Sequence, residues 1–157
     1  MNTVIVYDSM FGNTAKVASA IARHLEQENS VRLATVQDAR NLDLGDTDLL
    51  IAGSPTRGFR PTPQMSEFLS GLRKGQGSMM EVAVFDTRLD LDTIHPAPLR
   101  WVVDAGGYAA ARMDDMLQHQ AFGRRGEIAG FLVTGTEGPL KDGEIERAVD
   151  WAKTLVR

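Results

Sequence analysis

At 157 residues, 43% hydrophobic and 24% charged, the chain has the size and make-up of one folded domain spanning 1–157, with enough core to stand without staples. Seventeen basic and 21 acidic residues leave a net charge of −4, which argues against nucleic acid as a partner, and zero cysteines exclude thiolate, disulfide and cysteine-ligated cluster chemistry. No apolar run reaches the roughly 18 residues of a membrane span and no leader pattern opens the chain, so the expectation is a cytoplasmic monomer without membrane contact.

Thr3–Tyr7 is a near-continuous apolar run, the pattern of a strand covered on both faces. Thr14, Val17, Ile21 and Leu25 then recur at three- and four-residue steps, with Lys16, Arg23, Glu26 and Gln27 on the other side, predicting an amphipathic helix. Val31–Val36 alternates weakly and reads as an edge strand; 37–47 is short and polar and predicts no element; Leu49–Ala52 is the third strand. Thr62 followed by Pro63 marks a helix start, a capping hydroxyl and then a residue whose missing N–H is not needed there, so a helix is predicted over 62–72. Val82–Phe85 is the fourth strand, 89–108 a long connection, 107–120 a helix entered at Gly106-Gly107, and Ile128–Val133 the fifth strand. In 143–156, Ile145, Ala148, Val149, Ala152 and Leu155 form one stripe, predicting the last helix.

Short strands alternating with helices predict an α/β fold, a doubly wound five-stranded parallel sheet, because parallel neighbours need crossover connections. Such sheets bind ligands at the carboxyl ends of their strands, so function is expected after strands 1, 3, 4 and 5. The loop after the first strand, Asp8-Ser9-Met10-Phe11-Gly12-Asn13-Thr14, brings two hydroxyls, an amide and a flexible glycine to a helix N-terminus. Exposed N–H groups and the positive dipole end suit a phosphate there, and with no Lys or Arg between Thr3 and Ala15 its charge would be met by N–H and O–H donors. The same residues would also serve as a plain helix cap. The loop is neither a Walker A sequence nor a Rossmann glycine fingerprint.

Val4–Thr14, Val-Ile-Val-Tyr-Asp-Ser-Met-Phe-Gly-Asn-Thr, resembles the FMN-phosphate loop of flavodoxins, [ST]-x-[ST]-G-[NQ]-T or close to it. Met10 and Phe11 stand where hydroxyl or amide residues are more usual. The resemblance extends to Gly53–Phe59, Phe85–Arg88 and Gly135–Leu140, and is nearest to short-chain members. It implies strand order 2-1-3-4-5 and bound FMN. The phosphate would be held by Ser9, Met10, Phe11, Gly12, Asn13 and Thr14, and one face of the ring by Pro55, Thr56, Arg57, Gly58 and Phe59. Thr87 and Arg88 would meet the pyrimidine edge. The tyrosine that often follows strand 4 is absent from Thr87-Arg88-Leu89-Asp90, which leaves Trp101 or Tyr108 to cover the outer face. Arg57, Arg60 and Arg88 are expected to make the flavin potential less negative than acidic loops would.

The function implied is an electron carrier served by a separate reductase and acceptor. An enzyme on the same fold, a quinone reductase or porphyrinogen oxidase, would use 89–108 with His95, Trp101 and Tyr108 to roof a substrate pocket. A phosphoryl-receiver module is disfavoured, because Gly53-Ser54-Pro55 and Thr134-Gly135-Thr136 offer neither the strand-3 aspartate nor the strand-5 lysine it needs. His24, His95 and His119 lack metal-ligand spacing, and Asp86, Asp90 and Asp92 lack the glycine and terminal glutamate of a calcium loop.

Overall fold

The computed structural model describes residues 1–73 and 78–156. In chain order these form β1 (Asn2–Tyr7), α1 (Asn13–Leu25), β2 (Ser30–Thr35), the short α2 (Val36–Ala39), β3 (Leu49–Pro55), α3 (Pro63–Gly71), β4 (Glu81–Leu89), a 3-10 turn (Leu91–Thr93), α4 (Pro98–Gly106), α5 (Ala109–His119), β5 (Gly123–Arg124), β6 (Ala129–Val133) and α6 (Glu144–Leu155). Among the described residues the strands of the sheet pair in parallel, in the order β2-β1-β3-β4.

The fifth position of the sheet is shared, which the sequence did not foretell. β5 pairs with the start of β4 (Glu81↔Gly123) and β6 with its end (Phe85↔Ala129 to Leu89↔Val133). Between them the chain steps out at Gly126, φ +68°. Arg125 anchors the excursion, its N–H donating to the Val82 carbonyl at 2.7 Å and its guanidinium bonding Glu81 at 2.7 Å.

Strand side chains alternate between two cores, as the period of two requires. Val4, Val6, Leu50, Ala52, Val82 and Val84 pack with Met65, Phe68 and Leu69 of α3 and Met113 and Leu117 of α5. Ile5, Leu49, Ile51, Ala83 and Phe85 pack with Val17 and Ile21 of α1 and Ala148, Ala152 and Leu155 of α6. Each fully buried Leu, Ile, Val or Phe contributes about 1.5–3 kcal/mol, so both layers are needed. The chain leaves β1 for the α1 face and β3 for the opposite, α3 face. The two loops diverge and open a crevice between adjacent strand ends, the switch point where such sheets take ligands.

Two elements exceed their expected bounds. β4 runs on through Asp86-Thr87-Arg88-Leu89, since a carboxylate and a guanidinium on one face neutralise each other inside the fold. The expected long connection contains α4, a nine-residue helix with Pro98 in its first turn and no buried residue.

Candidate functional site

Gly12, at φ +90°, is the N-cap of α1 and supplies no side-chain cap. That left-handed conformation is the reason for a glycine here. Ser9 does part of the capping instead: its Oγ accepts from Gly12 N–H at 3.2 Å and Ala15 N–H at 3.3 Å. The N–H groups of Asn13 and Thr14 in the first helical turn have no intrahelical acceptor, which leaves them for an anion. The Asn13 side chain donates to the Glu137 carbonyl at 3.1 Å, joining the loops after β1 and β6. Thr14, 1% exposed, places its hydroxyl 2.8 Å from that of Thr87, so α1 and β4 meet at a hydroxyl pair. Asp8 fastens the loop on its other side, accepting from the Thr62 hydroxyl at 2.6 Å, while that same oxygen caps α3 by accepting from Met65 N–H at 3.2 Å.

After β3, Arg57 and Arg60 exchange backbone hydrogen bonds at 2.7 and 3.1 Å across Gly58 (φ +55°) and Phe59 (φ +68°). Positive φ at both central positions makes this a type I′ turn. A phenylalanine there is strained, and it is held: Arg112 Nε donates to the Phe59 carbonyl at 2.7 Å. The Phe59 ring lies against Gly106, where an added Cβ would sit 2.3 Å from Cδ1. The turn directs the Phe59 side chain towards the end of α4, and Phe59 is not among the residues lining the cleft. Arg57 lies over the Phe11 ring at 5.8 Å, with Met10 and Phe11 both exposed.

Asp86 is fully buried and grips Arg88 through Nε at 2.7 Å and Nη2 at 2.8 Å. It also accepts from Ala110 N–H at 2.9 Å, while the Thr56 hydroxyl accepts from Ala109 N–H at 3.0 Å. Strand-end side chains thus cap α5, which has no capping side chain of its own. Burial pushes the Asp86 carboxyl above the usual carboxylate range, against the pull of Arg88, Ala110 N–H and the Thr56 hydroxyl. The guanidinium is clamped as well, 3.8 Å from the Tyr108 ring centroid and against Gly130, where a Cβ would lie 2.2 Å from Cζ. Tyr108, which bonds Asp104 at 3.2 Å, lies behind the guanidinium. Trp101 is 84% exposed on α4 and is not among the residues lining the cleft.

These segments enclose a cleft of about 190 Å3 at the carboxyl ends of β1, β3, β4 and β6. Ser9, Met10, Phe11, Asn13, Thr14, Pro55, Thr56, Arg57, Thr87 and Arg88 line it; Gly12, Gly58 and Phe59 do not. Leu89, Val133, Gly135 and Thr136 complete it. The sequence pattern does not single out these four as site residues, although Gly135-Thr136 directly after the last strand is a usable signal. The donor chemistry fits a flavin mononucleotide, with N–H and O–H donors and no carboxylate at the α1 end, apolar Met10, Phe11 and Pro55 along the walls, and one fixed guanidinium opposite.

Known proteins place the chain. No curated protein sequence matches it. Flavodoxin 2 of Bacillus cereus superposes with a TM-score of 0.71 at 20% identity, covering 99% of this chain and 97% of that one. The rubredoxin oxygen:oxidoreductase of Desulfovibrio gigas gives 0.71 at 19%, covering 98% of this chain but 35% of its own. A Streptococcus pneumoniae flavodoxin gives 0.68 at 19%, with 99% and 97% covered. At these identities the likeness shows the shared fold. The sequence profile described as a flavodoxin domain matches residues 4–99, well over half of the chain. The protein belongs to the flavodoxin domain family.

Proposed function

We propose that the chain is a one-domain, cytoplasmic, monomeric FMN-binding electron carrier, served by a separate reductase and a separate acceptor. The observation that carries this reading is the cleft at the switch point, with the first turn of α1 at one end and the clamped Arg88 at the other. When bound, the flavin supplies one- or two-electron redox chemistry. Backbone N–H groups of the α1 turn, with Ser9 and Thr14, hold the phosphate, and the Thr87 hydroxyl, 2.8 Å from that of Thr14, lies at the same end; Pro55–Arg57 face the ring; Arg88 supplies a donor at its polar edge. The carrier reading is preferred to an enzyme because His95 and Trp101 are both exposed and neither lines the cleft. No helix among the described residues is long and apolar enough to cross a membrane.

The test is the absorbance spectrum and released-cofactor mass of the purified protein, followed by titration with FMN and riboflavin. FMN should bind the more tightly. Thr14→Val should weaken FMN by about 1–2 kcal/mol beyond its effect on riboflavin, the loss expected for a hydrogen bond to a charged group. Riboflavin is the internal control, since losing the contact with Thr87 affects both flavins alike. Equal losses would remove Thr14 from the phosphate site. Steady-state quinone reduction by a nicotinamide donor without added reductase would replace the carrier reading with the enzyme one.

Arg57 has no carboxylate partner among the described residues, and its positive charge at the cleft favours an anionic reduced cofactor. In Arg57→Ala the flavin midpoint potential should fall by tens of millivolts at low salt, and the shift should shrink as salt rises. An unchanged potential would place the Arg57 charge in solvent.

A further inference from the structure

α4 is amphipathic the wrong way round for a core helix. Arg100 turns inward, its Nε donating to the Ile94 carbonyl at 3.1 Å. The apolar Leu99, Trp101 and Val102 stand 45%, 84% and 62% exposed. At its C-terminal end Gly106 receives the half-exposed Phe59 ring. Arg112 joins α4 to the turn, donating to the Phe59 carbonyl and to the Gly106 carbonyl at 3.2 Å. Beyond the turn lies a groove of about 530 Å3 floored by Pro61, Pro63 and Met116, with Arg60 and Arg112 in its walls and Asp115 beside them. Ridge, turn and groove are therefore continuous, and through Arg57 and Phe11 they reach the cleft rim.

We propose that the α4 ridge and the Arg60–Arg112 groove form the docking face for a redox partner protein whose own surface sets carboxylates around an apolar projection. This rests on the electron-carrier reading of the cleft. Three guanidiniums, Arg57, Arg60 and Arg112, form no ion pair with a carboxylate among the described residues, on a chain whose net charge is −4. Locally the face is the opposite of the molecule as a whole, and it selects an acidic partner by charge complementarity. Its composition, Trp, Phe and Arg around an apolar centre, is that of energetic anchor points in protein interfaces. A lipid surface matches the charge but not the shape, because a flat bilayer cannot fill the Pro61–Met116 groove.

Cytochrome b5, an acidic haem protein, and cytochrome c, a basic one, serve as probes. Binding is read by quenching of Trp101 fluorescence by the haem, with Trp101→Phe supplying the Trp151 background, so this measurement needs no flavin. Electron transfer from the reduced, flavin-loaded protein is then read by stopped flow. At low salt cytochrome b5 should bind the more tightly and weaken as salt rises. Arg60→Glu and Val102→Asp should each raise its Kd at least about fivefold and slow its reduction in parallel. Arg23→Glu, an exposed site on α1 with the same change in net charge, should alter both by less than about twofold. Equal effects of Arg60→Glu and Arg23→Glu, or tighter binding of cytochrome c, overturn the proposal. So does a dimer abolished by Val102→Asp, or binding to phosphatidylserine vesicles with none to cytochrome b5. Failure of the protein to retain FMN defeats the carrier reading separately, and the quenching titration still decides the charge preference of the face.

Discussion

Replacing Arg88 with leucine is expected to destabilise the fold more at pH 7 than at pH 5, the charge part of the loss being at most about 4 kcal/mol at pH 7 and under about 2 kcal/mol at pH 5. The cause is Asp86, fully buried and held by both Arg88 nitrogens. Without the guanidinium the carboxylate is a lone charge in the interior, and it avoids that state by keeping its proton. Each pH unit above the ordinary value of 3.8 then adds about 1.4 kcal/mol to the cost of folding with the proton on, which sets a ceiling near 4 kcal/mol at neutrality. In the native protein the Asp86 pKa is already raised, so its contribution favours folding at low pH and is lost as pH climbs from 3.8 through the folded value. Removing Arg88 pushes that folded value higher and carries the loss up to neutral pH. Urea melts of Arg88→Leu at pH 5 and 7 measure the effect. Adding Asp86→Asn should recover most of the stability and flatten the pH dependence. A variant equally destabilised at both pH values would mean that packing against Tyr108 and Gly130, not charge, is what the guanidinium contributes.

That same pair explains where the sequence stopped being legible. The apolar run Val82–Phe85 ends at Asp86, so polarity hid the rest of β4, although its two charges share one face and neutralise each other. α4 was hidden for a different reason. It packs no residue into the core, so no buried stripe marks it, and Pro98 stands in its first turn. β1, β3 and the first half of β4 were legible as continuous apolar runs because their side chains are buried on both faces, while β2 and β6 showed through weaker apolar patterns. The turn after β1 was legible because capping chemistry is local: Ser9 and Gly12 act within a few residues of where they stand, whereas the bond from Asn13 to the Glu137 carbonyl reaches across the fold. Phe59 was not, since its direction depends on two consecutive positive φ angles and on Arg112, more than fifty residues away in the chain.

Gly53→Ala is expected to destabilise the fold by about 2–3 kcal/mol, a large effect for one methyl group. Gly53 lies in β3 directly across from Phe85 in β4, and the aromatic ring covers it so closely that a Cβ would lie 2.0 Å from Cζ. The ring has nowhere to retreat. Phe85 is fully buried, with the Phe131 and Trp151 rings each 5.9 Å away, tilted or edge-on. Replacing a strand glycine with alanine normally helps by about 0.5–1 kcal/mol through backbone entropy, so the observed loss will understate the steric cost by that amount. The strain also lies close to the site: the Gly53 carbonyl accepts from Asp8 N–H at 3.0 Å, and Asp8 holds the phosphate-side loop to Thr62. Flavin affinity should therefore weaken together with stability. Combining Gly53→Ala with Phe85→Leu should cost less than the sum of the two single substitutions, because the smaller side chain vacates the space the methyl needs. Denaturant unfolding of the two single variants and the double variant measures that coupling. A Gly53→Ala protein within about 0.5 kcal/mol of the parent, or strictly additive losses, would show that the ring over Gly53 yields freely and that its close approach does not require the glycine.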